Sequence, residues 1–283
     1  MTSLNHPQSA AAVQAPKPVE LVEVRDMPYV AAKGTTIDPA HHVDLYLWPN
    51  EQERKSRPLI VFLHGGAWRS NSRGDFTTTA HLLAHATHCA IAVPGYRLSL
   101  PADSPTRPQH PSHALDAHTA ITYLSTQSAR FGYDPSRIIL VGHSAGAHMA
   151  AFAAWSLGAP NVVSVVAVDG IYNIVDLVDE YPDYRGFIEQ AFGSDAKAWT
   201  AASAVALAEQ KAKGLVAVIH SRDDELLTFR QSDLFLAGLQ KRSGVVEVVK
   251  EYAVVTGKHD ELLKTDAFAK CVAGVVDRVV ARK

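Results

Sequence analysis

The sequence predicts an α/β fold with a doubly wound, mostly parallel sheet, and three observations support this prediction. First, short continuous apolar runs recur along the chain, as expected for strands buried on both faces. Second, stretches of helical length separate these runs, so that right-handed crossovers would return each strand parallel to the last. Third, one apolar run ends in a glycine-flanked serine and continues at once into an alanine-rich helical segment. The apolar runs cover residues 58–63, 89–93, 138–141, 162–168 and 215–220.

The chain before the first buried strand contains two different kinds of sequence. Residues 1–18 are rich in Ala, Gln, Ser and Pro, and we expect them to form a disordered tail. They lack the apolar h-region of a signal peptide and the arginines of a transit peptide. Residues 19–283 are predicted to form a single domain. At its start, the alternation of apolar and polar residues from 43 to 48 predicts an antiparallel strand.

Helical patterns follow the strands in the expected alternation. They cover residues 112–130, 145–154, 226–242 and 260–278, and residues 245–253 add a last strand. The segment 176–210 is aromatic and only loosely helical. We interpret it as a small cap insertion over the carboxyl edge of the sheet.

The glycine-flanked serine is the strongest functional signal. Ser144 stands in the sequence Gly142-His143-Ser144-Ala145-Gly146, between a predicted strand and a predicted helix. A G-x-S-x-G turn in this context exposes the serine hydroxyl, and its glycines avoid collision between the strand and the helix. The helix directs its first amide, that of Ala145, at negative charge that develops nearby. The pattern predicts Ser144 as the nucleophile of an α/β-hydrolase fold.

A serine nucleophile needs a histidine base, and the base needs a carboxylate. In this fold the chain order is serine, then acid, then histidine. Of the 14 histidines, only His259 lies beyond the strand at 215–220 and the loop after it, so the order selects His259. Three acids remain open. Asp224 is favoured by its position after that strand, Asp223 is its neighbour, and Asp169 follows the preceding strand.

An oxyanion needs at least two donors aimed at it. The strand at 58–63 ends in an HGGxW motif, which consists of His64, Gly65, Gly66, Ala67 and Trp68. Two successive glycines allow backbone amides to approach a substrate without obstruction. We predict an oxyanion hole formed by the N–H groups of Gly66, Ala67 and Ala145. Four aromatic residues near the expected site are candidates for the substrate pocket, namely Trp68, Tyr96, Tyr172 and Phe192.

The composition excludes several classes of function. A formal net charge of −2 gives no electrostatic basis for binding nucleic acid or an anionic membrane surface. No apolar run is long enough to span a membrane, so we predict a soluble protein. Cys89 and Cys271 do not make a disulfide framework and are predicted as small core residues, which fits an intracellular compartment.

No cofactor and no metal are predicted. The chain has no phosphate-binding loop, dinucleotide fingerprint or C-x-x-C motif. His81, His85 and His88 have a spacing that places them on one helix face, but the sequence offers no carboxylate or cysteine to complete a metal site. We therefore predict a solvated histidine face.

Several segments together resemble the kynurenine formamidases (arylformamidases), particularly the fungal ones. They are HGGAW at 64–68, GHSAGAH at 142–148, DGIYN at 169–173, YPDYRGF at 181–187, SRDDELLTFRQ at 221–231 and GKHDELL at 257–263. The resemblance spans roughly residues 40–275. Many esterases share the first two segments, whereas the other segments are more specific. In this family the acid falls on Asp224 and the base on His259.

The resemblance implies a definite reaction. The expected substrate is a small aryl formamide, N-formyl-L-kynurenine, which is hydrolysed to L-kynurenine and formate in tryptophan catabolism. The family also implies a homodimer in the cytosol. Two alternatives are a general small-ester hydrolase or lactonase on the same scaffold, and a binding protein that has kept the fold. All members of a catalytic triad are present in the sequence, which disfavours the binding protein.

Overall fold

The computed structural model of the chain describes residues 19–31, 36–101, 104, 107–242 and 246–282. The strands are β1 (Val22–Pro28), β2 (His42–Leu47), β3 (Pro58–Leu63), β4 (Ala90–Pro94), β5 (Asp134–His143), β6 (Val162–Val168), β7 (Gly214–Ile219) and β8 (Val246–Glu251). Among the described residues these eight strands form one sheet in the order β1-β2-β4-β3-β5-β6-β7-β8. The sheet confirms the predicted fold class.

Six adjacent strands of the sheet run parallel to one another, namely β4, β3, β5, β6, β7 and β8. The pairs at the other edge of the sheet are antiparallel. Strand β2, which was predicted as antiparallel, pairs with β4 in that orientation, and β1 pairs antiparallel with β2. Strand β1 was not predicted. It lies at the edge of the sheet, where only Met27 of its residues is fully buried. An edge strand of this kind leaves no apolar run in the sequence.

The helices are α1 (Glu51–Arg54), α2 (Thr77–Thr87), α3 (Ser112–Ser125), α4 (Ser128–Phe131), α5 (Ala145–Ala151), α6 (Ile174–Glu180), α7 (Arg185–Phe192), α8 (Ala196–Ala202), α9 (Ala204–Lys211), α10 (Phe229–Gln240) and α11 (Asp266–Ala281). A π-helical turn at Phe152–Ser156 continues α5. Short 3₁₀ turns cover Pro39–His41, Arg73–Phe76, Pro182–Tyr184 and Leu262–Lys264. The segment 176–210, predicted as a cap, corresponds closely to α6–α9 between β6 and β7.

The central strands are buried on both faces because their side chains alternate between two apolar cores. In β3, Leu59, Val61 and Leu63 enter one core, and Ile60 and Phe62 enter the other. The first core includes residues of α3, α5 and α6–α10, and the second includes residues of α2 and α11. This alternation explains why the strand sequence is continuously apolar. Because β3, β5, β6 and β7 run parallel, their carboxyl ends lie at one edge of the sheet.

The single helix predicted over residues 112–130 is divided into α3 and α4. Ser125 Oγ donates a hydrogen bond to the carbonyl oxygen of Thr122, and Thr126 Oγ1 donates one to that of Tyr123, each at 2.7 Å. Serine and threonine side chains that bind the backbone in this way compete with the helical hydrogen bonds. The apolar periodicity continues across the break, so it predicted one helix instead of two.

Two other predicted helices begin later in the structure than in the sequence prediction. Helix α10 begins after Thr228 and α11 after Thr265, and each threonine side chain accepts a hydrogen bond from a backbone N–H of its helix. Threonine is a favourable N-cap because it satisfies an unpaired N–H of the first turn. The residues before each cap form the loops that carry candidate site residues.

Two of the predictions fall on residues that the structure does not describe. They concern residues 1–18, predicted as a disordered tail, and residue 245, the predicted start of the last strand. Within the described part of the chain, no helix is both long enough and apolar enough to cross a membrane. Cys89 is buried, Cys271 is half-buried, and both are free thiols.

Of the three histidines at 81, 85 and 88, His81 and His88 contact carboxylates that the sequence did not reveal. His81 Nε2 lies 2.6 Å from Glu23 Oε1, and His88 Nδ1 lies 2.6 Å from Glu53 Oε1. The His88 ring also stacks on Trp48 with a centroid distance of 4.0 Å. Because Glu23 and Glu53 come from β1 and α1, their approach to this face depends on tertiary structure rather than on spacing.

Candidate active site

Ser144 lies in the turn between β5 and α5, where the G-x-S-x-G pattern places it. Its φ of 55° and ψ of −119° lie in a region that an L-residue enters only under strain. A Cβ on Gly142 would overlap the backbone of Gly146, and a Cβ on Gly146 would overlap the carbonyl oxygen of Leu63. Only glycine therefore fits either position. The N–H of Ser144 donates to the carbonyl oxygen of Val168 at 2.9 Å, which ties the turn to β6.

The HGGxW loop forms a second strained turn. Gly66, Ala67 and Trp68 have positive φ values of 107°, 51° and 58°. The N–H groups of the next two residues both donate to the carbonyl oxygen of Gly66 at 3.0 Å and close the turn. The N–H groups of Gly66 and Ala67 have no backbone acceptor among the described residues. Ala145 is the first residue of α5, so its N–H has no acceptor within the helix. Gly66 and Ala67 line the same cavity as Ser144.

His259 and Asp224 form a hydrogen-bonded pair. His259 Nδ1 lies 2.8 Å from Asp224 Oδ2, and both side chains are almost fully buried. Asp224 Oδ1 accepts the N–H groups of Leu226 and Leu227 at 2.8 and 2.9 Å. Burial opposes ionisation of Asp224, but the hydrogen bond and charge of His259 and these two backbone donors hold the pKa of Asp224 below its usual range.

The same contact sets the protonation of the imidazole. Burial lowers the pKa of His259, but the hydrogen bond and charge of Asp224 outweigh burial and raise this pKa above its usual value. Asp224 is therefore a carboxylate that can fix the tautomer of His259 and stabilise its protonated form. This is the arrangement that a histidine base requires.

Asp223, the second acid considered from the sequence, has a different contact. Its Oδ2 accepts the N–H of Gly257 at 3.0 Å, in the loop that carries His259. Glu225 Oε2 accepts the backbone N–H of His259 at 2.9 Å. The residues on both sides of Asp224 thus bind the backbone of the histidine loop, whereas Asp224 binds the imidazole.

Asp169, the third acid considered, is fully buried beside this pair. Its Oδ1 accepts the N–H of Ser221 at 2.8 Å, and its Oδ2 has no hydrogen-bond partner among the described residues. Carboxyl oxygens of Asp169 and Asp224 approach to within 4.8 Å. Burial, and then the charge of Asp224, raise the pKa of Asp169 to about 8. Asp169 is therefore protonated near neutral pH, where Asp224 is ionised.

Asp169→Asn is expected to retain turnover within about tenfold, because asparagine resembles a protonated aspartic acid in shape and hydrogen bonding. It should also change the pH dependence of stability. A buried acid whose pKa rises from 3.8 to about 8 on folding stabilises the protein most below pH 4, and this contribution is lost as the pH rises to 8. The melting temperature of the variant should therefore rise relative to that of the wild-type protein as the pH increases across this range. A pH-independent difference, or a loss of turnover near 10⁴-fold as for a true triad acid, would contradict this interpretation.

Two groups of three side chains in this region are close enough together to be considered as metal ligands. The groups are His143, Asp169 and His259, and Asp169, His220 and Asp224, with ligand atoms within 4.8 Å of one another. His143 Nε2 lies 2.9 Å from the carbonyl oxygen of His259. His220 contacts Ser232 Oγ at 2.8 Å and the carbonyl oxygen of Leu227 at 3.1 Å through its two ring nitrogens. Burial lowers the pKa of both histidines. We interpret them as neutral hydrogen-bonding groups and assign no ion.

Ser144 and His259 open into one cavity of about 350 Å³. Its apolar wall is formed by Ile171, Tyr184, Phe187, Leu226 and Leu227, and its charged wall residues other than His259 are Arg69 and Asp260. Tyr184 and Phe187 belong to the segment predicted as a cap. The hydroxyl of Tyr184 donates to the carbonyl oxygen of Leu226 at 3.0 Å, which joins this segment to the loop after β7.

The structure does not place the four predicted pocket aromatics on this cavity. These residues are Trp68, Tyr96, Tyr172 and Phe192, and all are buried. Trp68 packs edge-on against Phe192 with centroids 4.8 Å apart, and Tyr172 stacks on Phe235 at 4.1 Å. Tyr96 donates from its hydroxyl to the carbonyl oxygens of residues 64 and 65 at 3.0 and 3.2 Å. All four rings therefore pack in the core, because large aromatic rings gain most from complete burial. Tyr96 and Phe192 contact the HGGxW loop, whereas Tyr172 packs away from it on Phe235.

The cavity residues that sequence reasoning missed stand beside motifs that it used. Arg69 follows HGGAW, Asp260 follows His259, and Leu226 and Leu227 belong to the segment after Asp224. The two aromatic wall residues come from YPDYRGF. Proximity to a catalytic motif in the sequence was the available signal, since a loop that presents one site residue also places its neighbours at the same sheet edge.

The chain is similar in sequence and in fold to known proteins. The model of the BD-FAE family matches residues 43–239. A kynurenine formamidase of Meyerozyma guilliermondii is 30% identical over 77% of this chain and 83% of its own length. One of Eremothecium gossypii is 31% identical over 74% of this chain and 89% of its own length. The crystal structure of esterase B from Lactobacillus rhamnosis has a TM-score of 0.75 at 18% identity and covers 94% of this chain and 88% of its own.

Proposed function

This chain belongs to the BD-FAE family and is a hydrolase of the fungal kynurenine formamidase group of α/β-hydrolases, and we propose that it cleaves N-formyl-L-kynurenine to L-kynurenine and formate. The observation that carries the proposal is the 2.8 Å contact between His259 Nδ1 and Asp224 Oδ2, at a cavity that also contains Ser144. This arrangement supports Ser144, His259 and Asp224 as the proposed nucleophile, base and acid.

In the first half of the proposed reaction, Ser144 Oγ attacks the formyl carbon while His259 Nε2 takes the hydroxyl proton. The carbonyl oxygen becomes an oxyanion, and the N–H groups of Gly66, Ala67 and Ala145 stabilise it. Their lack of acceptors among the described residues supports this role. The protonated His259 then transfers its proton to the leaving nitrogen, the C–N bond breaks, and L-kynurenine departs.

In the second half, water hydrolyses the formyl-enzyme. His259 takes a proton from the water as its oxygen attacks the formyl carbon, and it returns this proton to Ser144 Oγ as the bond between Oγ and the formyl carbon breaks. The formic acid that is released loses its proton to solvent and leaves as formate. Formyl is the smallest acyl group, so this step needs almost no acyl pocket. The bulk of the substrate belongs to the leaving group, and the apolar wall around Phe187 and Leu227 supplies a surface for an aromatic ring.

An aryl amine is also a favourable leaving group for this triad. Its nitrogen is a much weaker base than that of an alkyl amine, because its lone pair is shared with the ring. Breakdown of the tetrahedral intermediate therefore makes a small demand on His259 as the acid. This explains how a triad suited to esters would cleave an amide.

The test compares substrates with one purified protein. We expect kcat/KM for N-formyl-L-kynurenine to exceed that for its N-acetyl counterpart and for p-nitrophenyl butyrate by at least about tenfold. Formate release should match the change in absorbance mole for mole. Efficient cleavage of butyrate esters without cleavage of N-formyl-L-kynurenine would replace the proposal by the small-ester hydrolase.

A further inference from the structure

The cavity that contains Ser144 has one cationic and one anionic residue in its wall in addition to His259. We propose that Arg69 and Asp260 bind the α-carboxylate and the α-ammonium group of the leaving amine, so that the site selects aryl formamides that carry a zwitterionic amino acid. This inference rests on the proposed function and names the residues that would give it specificity. Both residues line the same cavity as Ser144 and His259.

Arg69 is available to bind a ligand. It lies in the strained loop that presents Gly66 and Ala67, and its guanidinium stands over the ring of Phe187 at 5.3 Å from the centroid. Among the described residues no carboxylate forms an ion pair with Arg69. The ring contact restrains the guanidinium without neutralising it. An arginine in this state can bind a carboxylate with two parallel hydrogen bonds.

Asp260 is the corresponding anion on the histidine side of the cavity. Among the described residues its one ion-pair contact within 4.0 Å is with His143, whose Nδ1 lies 4.0 Å from Asp260 Oδ1. The charge of Asp260 also acts on the adjacent His259 and helps to raise the pKa of that imidazole. Burial, and then the charge of His259, lower the pKa of His143 well below its usual value. His143 is therefore uncharged near neutral pH and does not neutralise Asp260. The aspartate charge remains free to pair with an ammonium group.

The two charges suit a zwitterion better than a simple anion or cation. Arg69 and Asp260 together contribute no net charge to the wall, so a ligand with one group of each sign gains two ion pairs. A neutral aryl ester gains neither pair but still contacts the apolar wall near Leu226 and Leu227. Selectivity should therefore appear as a difference between charged and uncharged leaving groups with the same ring.

A substrate–variant cycle tests the arginine. We expect Arg69→Met to lower kcat/KM for N-formyl-L-kynurenine about tenfold, mainly through a higher KM, which corresponds to about 1.4 kcal/mol. For the α-carboxamide of the same substrate and for formanilide, the change should stay within about twofold, because the carboxylate is absent. Arg185→Met is the matched control, since Arg185 carries the same charge at the start of α7 and stands over the ring of Trp199 but does not line the cavity.

The aspartate is tested in the same way. Asp260→Asn should lower kcat/KM for N-formyl-L-kynurenine about tenfold and leave the analogue without the α-amino group within about twofold. An equal loss on all substrates, with or without the charged groups, would show an effect on the neighbouring His259 and would overturn the assignment of Asp260. An unchanged KM in Arg69→Met would overturn the assignment of Arg69.

A binding measurement separates this inference from the proposed function. L-kynurenine should inhibit hydrolysis of p-nitrophenyl acetate competitively, and Arg69→Met should raise its inhibition constant about tenfold. If the wild-type protein does not cleave N-formyl-L-kynurenine but shows this inhibition, the proposed function fails and the binding of the amino acid stands. If it cleaves the formamide and the variant shows no change in inhibition, the function stands and this inference fails.

Discussion

Ser144→Ala is expected to reduce kcat by about 10⁵- to 10⁶-fold on any substrate, because it removes the oxygen that we propose as the nucleophile. A residual rate above the uncatalysed reaction would come from binding and from the oxyanion donors. Stability should change by no more than about 1 kcal/mol, since the substitution removes one oxygen and keeps the backbone conformation. Steady-state kinetics and thermal melting, measured on the same preparation, give both values.

Ser164→Ala provides a matched control for this substitution. Ser164 is also buried, and its hydroxyl has no hydrogen-bond partner among the described residues. Its replacement should leave both turnover and melting unchanged. Phenylmethylsulfonyl fluoride should label the wild-type protein at Ser144 in a one-to-one ratio and should not label Ser144→Ala. Retention of more than a few per cent of activity by Ser144→Ala with normal melting would exclude Ser144 as the nucleophile.

The parts of the fold that could be predicted are those in which one local pattern has one structural solution. The run of residues 58–63 is apolar throughout because its side chains enter two cores, and it was recognised as a buried strand for this reason. Strand β1 has no such pattern, since its stability comes from pairing with β2 at the sheet edge. The break between α3 and α4 depends on the side-chain hydrogen bonds of Ser125 and Thr126, which apolar periodicity does not register.

The candidate site also has parts that could be predicted from the sequence and parts that could not. Positions fixed by the backbone could be anticipated, and the structure brings Gly66, Ala67 and Ser144 to one cavity. The cavity wall could not be anticipated, because whether an aromatic side chain faces a cavity or a core depends on the packing of distant segments. Tyr172 turns to stack on Phe235, whereas the aromatic residues of YPDYRGF reach the cavity.

The sequence favoured Asp224 as the acid by its position but left Asp223 and Asp169 open. Asp224 and Asp169 lie in one buried group, and of the two only Asp224 is within hydrogen-bond distance of the imidazole, at 2.8 Å. Their hydrogen bonds separate them. Asp224 accepts from two backbone N–H groups and the imidazole, whereas Asp169 accepts from one backbone N–H. A carboxyl with three donors is ionised more easily than one with a single donor in the same apolar surroundings.

Asp224→Asn should therefore be the most damaging change at the three acids, with a loss of about 10⁴-fold in kcat. An asparagine would favour the wrong tautomer of His259 and could not stabilise its protonated form. Asp223→Asn is the matched control, because an amide oxygen can still accept the N–H of Gly257. It should cost no more than about tenfold.

The pH profile gives a second and independent readout of the same substitution. Turnover needs neutral His259, so kcat/KM of the wild-type protein should rise with pH through a pKa above 6.5, since Asp224 raises the pKa of the imidazole. In Asp224→Asn the carboxylate no longer raises the pKa of His259, so the residual activity should begin to rise at a lower pH. Asp223→Asn should keep the wild-type profile. A severe loss with a shifted profile in Asp223→Asn, and a mild loss in Asp224→Asn, would reverse the assignment of the acid.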